Sequence, residues 1–183
     1  MKLRAKIILT AASLALSCAL LAGCGSSSGS TASSAASSEP AASVSAEENG
    51  ASDAVASAVD ALLEADPISN QFEIAAMNIE YDFNLPAEDV VSYKGVKSND
   101  NGDAGMVLVV EAADGKAEEG ANQLTAYQQD QVAFYGNYAE FAQAQENVEN
   151  AVIAFKDNTV VMVIASNECT ADLDSAVDSA LGE

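Results

Sequence analysis

The sequence predicts an α+β domain, a two-layer sandwich in which a four-stranded, mostly antiparallel sheet made of two hairpins is covered by helices on one face. Three observations predict it. Two pairs of β-rich segments, Val90–Tyr93 with Met106–Val110 and Ala151–Phe155 with Thr159–Ala165, are each joined by turn-forming residues. Segments with helical apolar spacing precede, separate and follow these pairs. Val160, Met162 and Ile164 alternate with Val161, Val163 and Ala165, so both faces of that strand are apolar, which places it centrally.

The elements follow in chain order. Ser52 or Asp53 caps a first helix, along which Val55, Val59, Leu62 and Leu63 recur on one face until Asp66-Pro67 stops it. A second helix is expected from Asn70, with Glu73 in the capping-box position and Phe72, Ala76, Ile79 and Phe83 along its inner face. Met77, Ile79, Tyr81, Phe83 and Leu85 also alternate as a strand would. Asn84, which tolerates the left-handed cap conformation, and Pro86 after it decide for helix.

Asn99-Asp100-Asn101-Gly102-Asp103 is the turn of the first hairpin. Asp114-Gly115 leads into a long helix carrying Ala117, Ala121, Leu124, Tyr127 or Gln128, and Gln131, which ends near Phe134, Tyr135, Tyr138 and Phe141. Asp157-Asn158, both tolerant of positive φ, suit a type I′ turn in the second hairpin. A last helix begins near Thr170, with Asp172 and Asp174 at its start and Leu173, Val177, Ala180 and Leu181 inward.

Ahead of this domain, Lys2, Arg4 and Lys6 precede an apolar run from Ile7 to Leu21. That run suits a secretory signal and falls short of the roughly 20 residues that span a bilayer. Leu21-Ala22-Gly23-Cys24 then looks like the lipobox of a bacterial lipoprotein, in which the Cys receives lipid and becomes the first mature residue. Residues 1–23 are therefore expected to be a lipoprotein signal peptide. Residues 24–52 are expected to be the lipidated Cys24 and a flexible Ser/Ala/Gly linker, and 53–183 a single globular domain. The expected location is the extracytoplasmic face of the cell membrane, held through Cys24.

Composition narrows the function. Cleavage removes Lys2, Arg4 and Lys6, so four lysines face 28 carboxylates and the mature net charge is −24. Nucleic-acid binding, which needs clustered cations, is excluded, and flat docking on an anionic surface is opposed. Solubility and mutual repulsion account for such a charge more simply than a cationic partner does. The chain has no His, which removes the usual general base and the commonest nitrogen metal ligand. Cys169 is left as the one free thiol and reads as a small, part-buried residue.

The stretch Asn84-Leu85-Pro86-Ala87-Glu88-Asp89-Val90, the long helix with Gln128, Gln129 and Gln131, and Glu149-Asn150-Ala151-Val152-Ile153 entering a hairpin together resemble a known group. The chain is similar to small lipoproteins of Gram-positive gut bacteria that carry a C-terminal domain of unknown function. The resemblance spans Ser69 to Gly182 plus the anchor. It implies a fold unit and a location, and it transfers no catalytic or binding residue.

No candidate site reaches the level of a mechanism. Aligning Gly102 with the glycine of a calcium loop puts Lys97 and Leu108 at ligand positions, so the EF-hand test fails and a solvated turn is expected. Glu118-Glu119 and Asp172/Asp174 are helix N-terminal acids that the macrodipole favours without a ligand. Phe134, Tyr135, Tyr138 and Phe141 are read as a core corner, with Phe134 and Phe141 packed back on the sheet. Tyr138 is the weak ligand-binding candidate if one ring faces out. No catalytic residue, metal site or cofactor is expected. The expected function is a non-enzymatic binding or interaction module whose partner is an envelope protein or a small molecule. The alternatives are an accessory subunit of a cell-envelope assembly or, third, a wall-glycan hydrolase using paired carboxylates roughly 5 to 9.5 Å apart.

Overall fold

The structure, a computed structural model, describes residues 51–182. The expected signal peptide, Cys24 and the linker as far as residue 50 lie outside the described residues. The elements are α1 (Asp53–Ala65), β1 (Gln71–Glu73), α2 (Ala76–Tyr81), β2 (Val90–Ser98), β3 (Met106–Ala112), α3 (Ala117–Tyr135), α4 (Ala142–Glu149), β4 (Val152–Lys156), β5 (Thr159–Ile164) and α5 (Leu173–Ala180). Single 3-10 turns at Ala87–Asp89 and Ala139–Phe141 lead into β2 and α4.

The class is α+β as expected, with two corrections. The sheet has five strands, not four, in the order β1-β2-β3-β5-β4, every neighbouring pair antiparallel. Helices cover both faces, not one. Val55, Val59 and Leu62 of α1 and Val177 of α5 pack with Val107, Val109, Val161 and Val163. On the opposite face Ile79, Phe83 and Leu124 pack with Met106, Leu108, Val160 and Met162. The cause is the pleat: successive residues of a strand point to opposite sides, so a strand apolar at every position needs an apolar partner on each side.

Both predicted hairpins are present. β2 pairs with β3 from Val90↔Ala112 to Lys97↔Met106, with an irregularity between Val90 and Ser92 that leaves Val91 exposed. β4 pairs with β5 from Val152↔Val163 to Lys156↔Thr159, and β3 joins β5 at the centre. The turn between β4 and β5 has positive φ at Asp157 alone (52°), so the type I′ expectation, which needs it at both residues, is not met. Gly95 on β2 sits where chains crowd: a Cβ there would lie 2.8 Å from the Val107 carbonyl oxygen and 2.8 Å from Ile74 Cδ1.

The segment after α1 departs furthest from expectation. Asn70 takes a left-handed conformation (φ 47°) and directs the chain into β1, where a helix was expected to begin. Gln71, Phe72 and Glu73 are all exposed on this edge strand, and Phe72 does not join the core. The helix starts later, at Ala76, where Asn78 Oδ1 accepts the Ala75 backbone N–H at 2.9 Å. Ile79 and Phe83 are buried as expected, and Asn84 is left-handed (φ 57°) ahead of Pro86.

α1 is capped by Ser52, whose Oγ accepts from the Val55 N–H, and it stops at Asp66. The Ser52 N–H also donates to Ser92 Oγ at 2.7 Å and its hydroxyl to Glu111 at 3.0 Å, which fixes the start of the helix to the sheet.

Candidate functional site

α2 has six residues, too few to hold itself together in water, so it exists because Ile79 and Phe83 are buried beneath it. Seating that face fixes the rest by helical geometry. Met77, Glu80 and Tyr81, at i, i+3 and i+4, form one ridge along the helix. The ridge borders a groove of about 300 Å3, and Ile79, Leu85 and Val90 are the buried residues that line it. Ala87 of the 3-10 turn and Tyr93 of β2 contribute the remaining wall. Met77 and Tyr81 are 67% and 73% exposed, the two highest exposures among the large apolar side chains described. The groove is therefore an apolar slot with one carboxylate and two phenol rings at its margin.

A second crevice lies between the Leu85–Val90 segment and α3, where Lys116 bridges Asp89 at 3.1 Å and Glu119 at 2.9 Å. It holds only about 10 Å3, room for about one water, and is not a ligand site.

The residues singled out in the sequence fall elsewhere. Tyr138 belongs to a chain of ring contacts, 5.6 Å from Phe134 and 5.5 Å from Phe141 between centroids, and Tyr135 lies 5.2 Å from Phe134. Tyr138 is 43% exposed, but Phe134, expected in the core, is more open at 51%. Tyr135 and Phe141 are the two that pack against the core, and burial pushes the Tyr135 phenol up. The group is a partly open corner that does not touch the groove.

In the Asn99–Asp103 turn the carboxylates are occupied by the fold itself. Asp103 Oδ1 accepts the N–H groups of Gly105 and Asn167, and Asp100 accepts from Asn70. Among the described residues no group of three or more Cys, Asp or Glu is placed to hold a metal ion.

Asp66 is the one fully buried carboxylate described. The Ser166 N–H donates to one oxygen at 2.8 Å and the Ser166 hydroxyl to the other at 2.6 Å. Cys169 stands beside this pair, part-buried as expected. Burial raises its thiol pKa, a hydrogen bond from the Ala171 backbone opposes the shift, and Asp66 adds to it. Asp66, which adds to the shift, stands just past the end of α1 and is remote from Cys169 in sequence. A raised pKa means less thiolate in the folded state, so at about pH 8 iodoacetamide should modify folded Cys169 several-fold more slowly than the urea-unfolded chain. Peptide-level mass spectrometry reads this directly, and equal rates would refute it.

Sequence reasoning missed the groove, although its signal was present. Met77, Ile79, Tyr81, Phe83 and Leu85 are too many apolar residues for the single buried stripe of a short helix. Those left off the stripe, Met77 and Tyr81, are the ones that form the rim.

Fold and site together define a small antiparallel α+β domain that carries an open apolar groove and whose one fully buried carboxylate is engaged by Ser166. The chain belongs to the family described as Domain of unknown function (DUF4358), which matches residues 64–165, from the end of α1 to the end of β5, and so contains the whole groove. No curated protein and no solved structure matches the chain.

Proposed function

We propose that this protein is a membrane-anchored extracytoplasmic lipoprotein whose tethered domain binds a partner through the α2–β2 groove and performs no chemistry on it. The observation that carries the reading is the exposure of Met77 and Tyr81 beside a groove of about 300 Å3. Large adaptable side chains of this kind are favoured where a surface is covered on binding. Leu21-Ala22-Gly23-Cys24 supports the anchor, and the Ser/Ala/Gly linker gives the domain reach. The groove offers one carboxylate, Glu80, where hydrolysis of a glycan would need two.

Three measurements test the proposal. Cys24→Ser should move the protein from the membrane fraction to the soluble fraction, and the mature amino terminus should carry diacylglycerol by mass spectrometry. The full chain in neutral detergent should then be screened by thermal shift against amino acids, peptides and glycan fragments. A ligand at a hundred times its dissociation constant adds about 2.7 kcal/mol, a rise of at least several degrees in a domain of this size. The rise should vanish in Tyr81→Ala; a flat screen, or a rise that survives Tyr81→Ala, would overturn the binding role.

A further inference from the structure

Resting on that binding role, we infer that the groove receives a basic peptide segment of a partner protein, one apolar side chain flanked by Lys or Arg. Openness and charge point the same way. A small-molecule site encloses most of its ligand, as a rule 70 to 90% of it. Here the ridge that would have to close over a ligand is itself largely in solvent, with Met77 and Tyr81 67% and 73% exposed. A wall of that kind is completed by the partner's own surface. Phe72 pairs with Lys97, whose ammonium reaches Tyr127, so Phe72 lies on the same face of the sheet as α2 but outside the lining of the groove.

Charge then selects the occupant. Between residues 51 and 93, which include every residue of the groove, there is no Lys or Arg. Glu80 lies in the groove, and Asp82 and Glu88 adjoin its lining residues Tyr81 and Ala87 in sequence. The four lysines of the folded region are engaged within it. Lys94 pairs with Asp60, Lys116 with Asp89 and Glu119, Lys97 bonds the Tyr127 hydroxyl, and Lys156 bonds the Gly182 carbonyl. Glu80 is the one charged residue that lines the slot; Lys94, next to Tyr93 in sequence, is paired with Asp60, and Lys97 on the same face of the sheet is bonded to Tyr127 outside the lining, so an acidic segment is disfavoured and a basic one steered in. The apolar floor gives the partner's central side chain its burial, and the Tyr81 ring and the Glu80 carboxylate suit a flanking ammonium or guanidinium.

The test uses the full chain in zwitterionic nanodiscs and three fluorescein-labelled peptides built on Gly-Lys-Phe-Lys-Gly, Gly-Lys-Gly-Lys-Gly and Gly-Glu-Phe-Glu-Gly, titrated by anisotropy. The Lys-Phe-Lys peptide should bind saturably. Tyr81→Ala should weaken it about tenfold and Glu80→Gln about threefold, with affinity falling as salt rises. Both residues are exposed, so these variants keep the thermal midpoint of the parent chain, which separates lost contact from lost fold. Equal binding of the Lys-Gly-Lys peptide, or indifference to Tyr81→Ala, overturns the inference as mere charge attraction. Tyr81-dependent binding of the Glu-Phe-Glu peptide overturns the charge selection and leaves the binding role standing. So does a Tyr81-dependent thermal shift from a small molecule with no peptide bound. No peptide binding together with a flat thermal screen removes both.

Discussion

Phe83→Ala is expected to destabilise the domain by about 4 kcal/mol and to abolish the groove at the same time. Phe83 is 2% exposed and among the largest fully buried side chains of the protein. Its ring lies 4.6 Å from that of Tyr127 at an interplanar angle of 59°, which adds an aromatic contact to the area it buries. Tyr127 cannot move to fill the space, because Lys97 Nζ holds its hydroxyl at 2.8 Å and stands 5.5 Å from the ring centre. Burial, and after it the charge of Asp82, keeps that phenol un-ionised well above its ordinary range. With Phe83 gone, α2 retains Ile79 as its one buried residue, too little to hold a six-residue helix in place. Urea denaturation would show the loss of stability. Peptide binding, measured at urea concentrations where the variant is still folded, would show the loss of the groove; a variant that keeps parental affinity would mean that α2 is seated by something other than Phe83.

Asp66→Ala should cost about 3 kcal/mol, and Asp66→Asn about half of that. The carboxylate is fully buried at the end of α1 and accepts both donors of Ser166, a residue 100 positions away that follows β5. Truncation leaves a buried backbone N–H and a buried hydroxyl without acceptors, and that desolvation is the larger part of the loss. The amide keeps one acceptor and so keeps part of the link. Ser166→Ala, which removes the hydroxyl alone, should fall near Asp66→Asn. If all three variants unfold at the urea concentration of the parent chain, the pair contributes nothing to holding α1 on the sheet.

Much of this architecture was legible in the sequence where one residue type had one physical use. The Asp66 stop, the left-handed Asn84 and Ser52, one of the two caps the sequence offers for α1, are legible because each satisfies a local hydrogen-bond or backbone demand, whereas Asp172, expected in the first turn of the last helix, is its cap. Both hairpins were legible for the same reason. β1 was not, since Gln71, Phe72 and Glu73 are all exposed and a strand without a buried side carries no alternation. α4 was missed because Ala144 and Val148, four residues apart in a mostly polar stretch, are its only buried apolar residues. The expectation of helices on one face was an error of inference: Met106–Val110 is apolar without a break, and Val160–Ala165 had already been read as apolar on both sides. The groove was hidden for a different reason. Met77 and Tyr81 enter the sequence reading only through a strand-like alternation, and it is the placement of Ile79 and Phe83 that shows them left over as a rim.

The pairing of β3 with β5 sets the order in which this chain can assemble. Each hairpin closes a short loop, a step that takes microseconds. The central ladder, from Met106↔Ile164 to Glu111↔Thr159, joins the two hairpins across the whole of α3 and α4. That closure carries the largest loss of chain entropy in the sheet, and it is rewarded only when α3 lies across both strands and α1 covers their other side. Closing the seam between β3 and β5 is therefore the step expected to limit how fast the sheet forms.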